Sequence, residues 1–175
     1  MDPITLVKTE CLRRLKENQD KLKKVLTDLP TEELWWRPNA VSNSIGNLIL
    51  HLCGNLTQYV LSALGGQEDH RERSKDFEAK GPIPASEVLH QLDEVLEKVY
   101  TTISTLDEAE LMRVRPVQCY EESGIGILIH VTEHLSYHTG QIIYLIKWKE
   151  ERPMDFYSDA ALEAHRGPLQ VRDSS

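Results

Sequence analysis

Ile4, Val7, Cys11, Leu15, Leu22, Leu26 and Leu29 recur at spacings of three, four and seven, with charged residues between them. This is the apolar stripe of an amphipathic helix, predicted from about Pro3 to Asp28 and ended by Pro30. Thr31-Glu-Glu-Leu reads as a capping box with Glu33 one position short, and Pro38 limits the piece it opens to one or two turns. Ser44 is placed to cap a second long helix, which Gly65-Gly66 stops near Leu64. Residues 38–67 contain no Asp, Glu, Lys or Arg, so this helix is expected to be buried on more than one side. Polar interruptions keep it below the roughly 18 successive apolar residues of a membrane span.

The stretch 65–84 is polar, charged and bounded by Gly and Pro. It predicts a long loop carrying a short helix between Arg71 and Ala79. Val88, Leu89, Leu92, Val95, Leu96, Val99, Ile103 and Leu106 mark a third helix, with Ser86 near its cap. A connection through Arg115-Pro116 leaves room for a few extended residues up to Tyr120, and Ser123 opens a fourth helix to about Glu151. From Pro153 to Ser175 the periodicity fades, and an irregular arm is expected. With no internal repeat and little strand signal, the pattern predicts an all-α four-helix bundle forming one domain over residues 1–175. The long connection between helices two and three would allow a crossover there.

Composition narrows the partners. A formal net charge of -8 with no basic cluster argues against nucleic acid. Cys11, Cys53 and Cys119 are far apart, odd in number and form no C-x-x-C pair, which suits free thiols in a reducing compartment. The first thirty residues carry charges throughout, so no secretory signal is read and a cytoplasmic protein is expected.

The chemistry lies in the fourth helix, where His130, His134 and His138 recur every fourth residue. Residues four apart stack on one helix face, within reach of a common ion. On a helical wheel His134 and His138 fall about 40° and 80° from His130, while Leu128, Val131, Leu135, Ile142 and Ile146 lie between about 100° and 160°. His134 and His138 therefore border the core and form the better pair. His130 lies farther round as an auxiliary ligand or a neighbouring donor. A third ligand must come from another helix, and His51 is the candidate. On its own wheel it joins Ser44, Asn47, Asn55 and Gln58 in an uncharged polar stripe, which suits a solvated cavity between helices. Gln141 falls within the histidine face and can orient a ligand or hold a metal-bound water. Glu133 is the nearest carboxylate, but its order with the histidines is not that of the metalloprotease motif.

The segments Ile45-Gly-Asn-Leu-Ile-Leu-His51 and His130-Val-Thr-Glu-His-Leu-Ser-Tyr-His-Thr-Gly-Gln-Ile142 resemble the DinB superfamily of damage-inducible and YfiT-like proteins. The order of helices extends that resemblance over roughly residues 1–152, and Trp35-Trp36-Arg37-Pro38 is similar to the family's approach to helix two. The resemblance implies a four-helix bundle, often dimeric, with a divalent ion held by His51, His134 and His138. Zn and Ni are the first choices for such donors, with Fe, Mn and Cu also open.

Three neutral imidazoles leave an ion its full charge and an open position, the pattern of a catalytic site. Two small-molecule chemistries follow: metal-dependent hydrolysis, and S-transfer from a low-molecular-weight thiol, which some relatives are similar to. A non-catalytic metal-binding or stress-response protein is the alternative. Arg73, Lys75, Lys80, Arg113 and Arg115 are each candidates to bind an anionic substrate, although a solvated surface role suits any one of them as well. A homodimer is expected, because an uncharged second helix would leave one side wet in a monomer.

Overall fold

The computed structural model describes residues 2–157; most of the C-terminal arm expected from Pro153 onward lies outside them. Four long helices form the bundle: α1 (Pro3–Leu26), α3 (Ile45–Leu56), α5 (Ala85–Thr105) and α7 (Gly124–Glu150). Short helices α2 (Thr31–Trp35), α4 (Arg73–Glu78) and α6 (Glu108–Met112) lie in the connections, and a two-stranded hairpin, β1 (Val114–Val117) with β2 (Tyr120–Ser123), leads into α7. Among these residues no helix is long and apolar enough to cross a membrane.

Packing partners set the order around the bundle. α1 packs on α7 and α5, and α3 packs on the same two. α1 thus stands across from α3, and α5 across from α7. The diagonal steps fall between α1 and α3 and between α5 and α7, whereas the long connection from α3 to α5 joins neighbours. The crossover that the long connection after helix two would have allowed is therefore not there, and that connection covers α3 instead. The core runs through all four helices, with Leu15, Leu22, Leu52, Leu96, Ile103 and Leu135 fully buried.

Local signals explain most helix ends. Asp2 accepts from the Thr5 amide ahead of Pro3, Ser44 and Asn47 form a reciprocal capping box, and Ser123 accepts from the Gly126 amide. One expected cap is corrected: Thr31 lies inside its helix, which starts directly after Pro30 with no side-chain cap bond, while Ser86 lies near its helix's cap, Pro84, which also makes no side-chain cap bond. A proline at this position presets an extended residue before the first turn. Helix α1 ends at Leu26, and Asp28 adopts a left-handed φ of 65° beyond it. After Leu56 the second helix widens into a π-helical segment, Thr57–Ser62, which no periodicity in the sequence announces. The extended residues before Tyr120 are a true antiparallel hairpin, with Arg115 opposite Glu122.

The uncharged α3 is covered within its own chain. Asn47 donates to the carbonyls of Asp76 (3.0 Å) and Ala79 (2.9 Å), and Arg37 bridges Asn47 to the Phe77 carbonyl. Gln58 binds Asp69 and Arg71. The polar stripe of α3 thus largely anchors the long connection rather than lining a solvated cavity. It also removes the wet side from which a dimer was expected.

Trp35 closes one end of the bundle, donating from Nε1 to the Ile83 carbonyl at 2.8 Å while its ring lies flat on Gly46. A Cβ at Gly46 would meet that ring at 2.9 Å. Gly46→Ala is therefore expected to destabilise the fold by about 1–2 kcal/mol, the clash outweighing a helix-propensity gain of up to about 1 kcal/mol. Urea unfolding of the variant beside wild type measures this, and an unchanged or higher midpoint would contradict it.

Candidate metal centre

Neighbouring helices α3 and α7 bring three imidazoles together. His51 comes from the middle of α3, and His134 and His138 from successive turns of α7. Their Nε2 atoms converge, with 3.2 Å between His51 and His134 and 3.3 Å between His134 and His138. Two nitrogens bound to one ion at about 2.05 Å with tetrahedral angles are separated by about 3.3 Å. The two spacings to His134 match that edge, and the ligand atoms of all three residues lie within 4.8 Å of one another, a group able to hold a metal ion.

What each ring does with its other nitrogen bears on that fit. His138 Nδ1 lies 2.7 Å from Gln141 Oε1, so an Nδ1–H donated there leaves Nε2 with its lone pair free to coordinate. His51 Nδ1 faces a pair that the sequence did not single out. Arg71 Nη2 lies 3.0 Å away and Asp76 Oδ2 3.4 Å away, and the two are joined at 2.8 Å. Arg71 Nη2 can only donate, so a His51 that binds through Nε2, with its proton on Nδ1, has Asp76 Oδ2 as the acceptor within reach and requires the Arg71 contact to open. Arg71 fits against α3 because Gly54 has no side chain: a Cβ there would sit 2.6 Å from Arg71 Nε. His134 Nδ1 is buried without a partner among the described residues. Nothing in the sequence pattern marked Arg71 and Asp76, because they sit about 20 residues from His51 on an element without strong periodicity.

The other expected residues take different places. His130 stacks on Tyr59 with ring centroids 4.1 Å apart and lies 3.2 Å from Asn55 Nδ2, outside the group of three. Glu133 is exposed and does not line the site. Arg115 is buried and spent on structure, donating to the Ala63 carbonyl and pairing with Glu110. Arg113 pairs with Glu110, and Lys75 with Glu72. Of the five cations considered as anion binders, Arg73 alone lines the cavity over the histidines. That cavity has a volume of about 640 Å³, and Phe77, Tyr137, Tyr144 and Leu145 contribute to its walls.

Burial, reinforced for His51 by Arg71 and for His134 by its neighbouring histidines, pushes both imidazoles down to about 3. Burial also lowers His138 and His130. All are therefore neutral at pH 7, as coordination requires.

The sign of the pH dependence follows. Between about pH 3 and 6.5 the unfolded chain binds protons at His51 and His134 that the folded chain does not, so stability rises with pH across that window. Moving from pH 7.5 to 5 in the presence of a chelator should cost on the order of 2 kcal/mol, discounted for the partial exposure of His134. Urea unfolding at the two pH values measures it. A flat profile for wild type, or an equally steep one for His134→Leu, would overturn the assignment.

The fold and the histidine cluster can now be set beside known proteins. No match is found among curated proteins. Among solved structures, a conserved protein from Enterococcus faecalis superposes with a TM-score of 0.70 at 14% identity, covering 87% of this chain and 99% of its own. A DinB-like protein from Bacillus cereus gives 0.65 at 18%, covering 80% and 91%. YfiT from Bacillus subtilis, described as a probable metal-dependent hydrolase with an unusual four-helix bundle topology, gives 0.67 at 18%, covering 82% and 87%. The sequence pattern of a family described as protein of unknown function DUF1572 matches residues 6–158. With that match spanning most of its length, the chain belongs to the DUF1572 family and has the four-helix-bundle fold of the DinB- and YfiT-like proteins.

Proposed function

We propose that this chain is a divalent-metal-dependent enzyme acting on a small molecule, with the ion held by His51, His134 and His138. The observation that carries this reading is the convergence of three neutral Nε2 atoms, from two helices, at the floor of an open cavity. When bound there, a divalent ion, with Zn or Ni first in line, supplies Lewis acidity that favours the conjugate base of a thiol or of water near neutral pH.

The chain's own residues do the rest. Gln141 accepts the Nδ1 proton of His138 and holds that ring with Nε2 toward the cavity, and in the metal-bound form Asp76 would take the Nδ1 proton of His51 while Arg71 stays paired to the Asp76 carboxylate. Phe77 closes over His51, with ring centroids 4.8 Å apart, and limits access by water from that side. A thiol is intrinsically more acidic than water, so the ion that brings bound water to a pKa of about 7 deprotonates a bound thiol outright; this supports thiol S-transfer at a lining whose described residues include no carboxylate base. Hydrolysis is the second reading, favoured by the description of YfiT.

A cytoplasmic, reducing setting accords with three unpaired cysteines, two of them buried.

Elemental analysis of protein purified without chelator is expected to find near-stoichiometric metal. His51→Ala, His134→Ala and His138→Ala should each lose it, while His130→Ala keeps most of it. Full retention by any of the first three would contradict the ligand set. Asp76→Asn should keep the fold and weaken metal affinity by about tenfold or more, read by competition with a chromophoric chelator. Affinity equal to wild type would remove Asp76 from that role.

A further inference from the structure

We propose that the cavity selects a small carboxylate-bearing ligand with an apolar body, its charged end held by Arg73; this rests on the metal-dependent reading above. The chain carries 28 Asp and Glu against 20 Lys and Arg, yet no carboxylate is among the described residues lining the cavity. Arg73 is the one Lys or Arg side chain among the described residues of that lining. A bound divalent ion adds to the same sign, so the cavity is a local positive pocket on an acidic protein.

Arg73 is also free to take a ligand. Its guanidinium lies 5.0 Å from the centre of the Phe77 ring and forms no salt bridge among the described residues, whereas Arg71 beside it is tied to Asp76. Stacking on Phe77 holds the planar fork at the cavity while leaving its edge donors unused. Phe77 in turn packs on His51, so the cation is carried on the same support as the metal centre. A single guanidinium matches a carboxylate through two parallel hydrogen bonds and balances its single charge. Leu48, Leu145, Tyr137 and Tyr144 give the remaining surface an apolar and aromatic character. Ser42, Asn43 and Gln141 add neutral polar groups only. A volume of about 640 Å³ lies within the roughly 300–1,000 Å³ of small-molecule sites. The ligand so defined has its carboxylate at Arg73, its body across the aromatic wall and its reacting atom toward the three Nε2 nitrogens.

The test uses cobalt-loaded full-length protein and thiols that share one metal-binding end but differ at the other. The series runs from 3-mercaptopropionate to 6-mercaptohexanoate, with the matching hydroxyl and ammonium compounds, and the thiolate-to-cobalt absorption band reports binding. The carboxylates are expected to bind on the order of tenfold more tightly than the alcohols, with the amines weakest. In Arg73→Gln that preference should collapse while the visible spectrum of the thiol-free cobalt protein stays unchanged. Arg73→Lys should keep part of it. Equal affinity for all head groups, or an undiminished preference in Arg73→Gln, overturns the proposal and leaves the metal reading standing. Failure of the wild type to take up cobalt overturns both.

Discussion

The structure turns on the burial of one imidazole. His51 is 5% exposed at the centre of a helix with no charged residue, where an unpaired polar group would be costly. Its Nδ1 is met by Arg71 and Asp76, and its Nε2 by His134 across the helix interface. Everything that positions the site follows from satisfying these two nitrogens. Helices α3 and α7 must lie side by side, and the connection after α3 must fold back over it.

This explains why the connection between α3 and α5 is long although it joins neighbours. A short turn would suffice to link them, but Arg71, Asp76 and Phe77 would then not reach His51. Side chains of α3 and of the π-helical segment after it hold the returning segment: Asn47 binds the carbonyls of Asp76 and Ala79, and Gln58 binds Asp69 and Arg71. The missing side chain of Gly54 leaves space for the Arg71 guanidinium. Placing one guanidinium and one carboxylate together against the ring keeps their charges paired at 2.8 Å, which lessens the cost of holding either one away from water. The adjacent Arg73 is released from that pairing and turned to the cavity on Phe77.

The same low-dielectric setting gives the site its chemical character. Burial keeps the histidines neutral, so each carries a single N–H, and where His134 Nε2 meets His51 Nε2 at 3.2 Å and His138 Nε2 at 3.3 Å that nitrogen is either donor or acceptor. Such an arrangement is poorly satisfied by hydrogen bonds alone, since a nitrogen that accepts from one neighbour cannot also donate to another. It suits a shared cation.

Much of this was legible in the sequence because it is local and periodic. The four long helices, the short helix between Arg71 and Ala79, the caps at Ser44 and Ser123 and the i, i+4 histidines all follow from spacing over a few turns, which backbone geometry converts directly into a shared face. The separation of His130 from His134 and His138 was visible on the wheel for the same reason. Tertiary structure alone decided the diagonal order of the helices, the covering of α3 by α4, and the clasp of Arg71 and Asp76 on His51. It also decided which cation faces the cavity: Arg115 and Arg73 are equally basic in sequence, yet one pairs with Glu110 and the other stacks on Phe77. These outcomes depend on contacts between residues distant along the chain. Their partners are chosen by how apolar surface and buried polar groups are satisfied together, a condition on the whole fold that no single segment encodes.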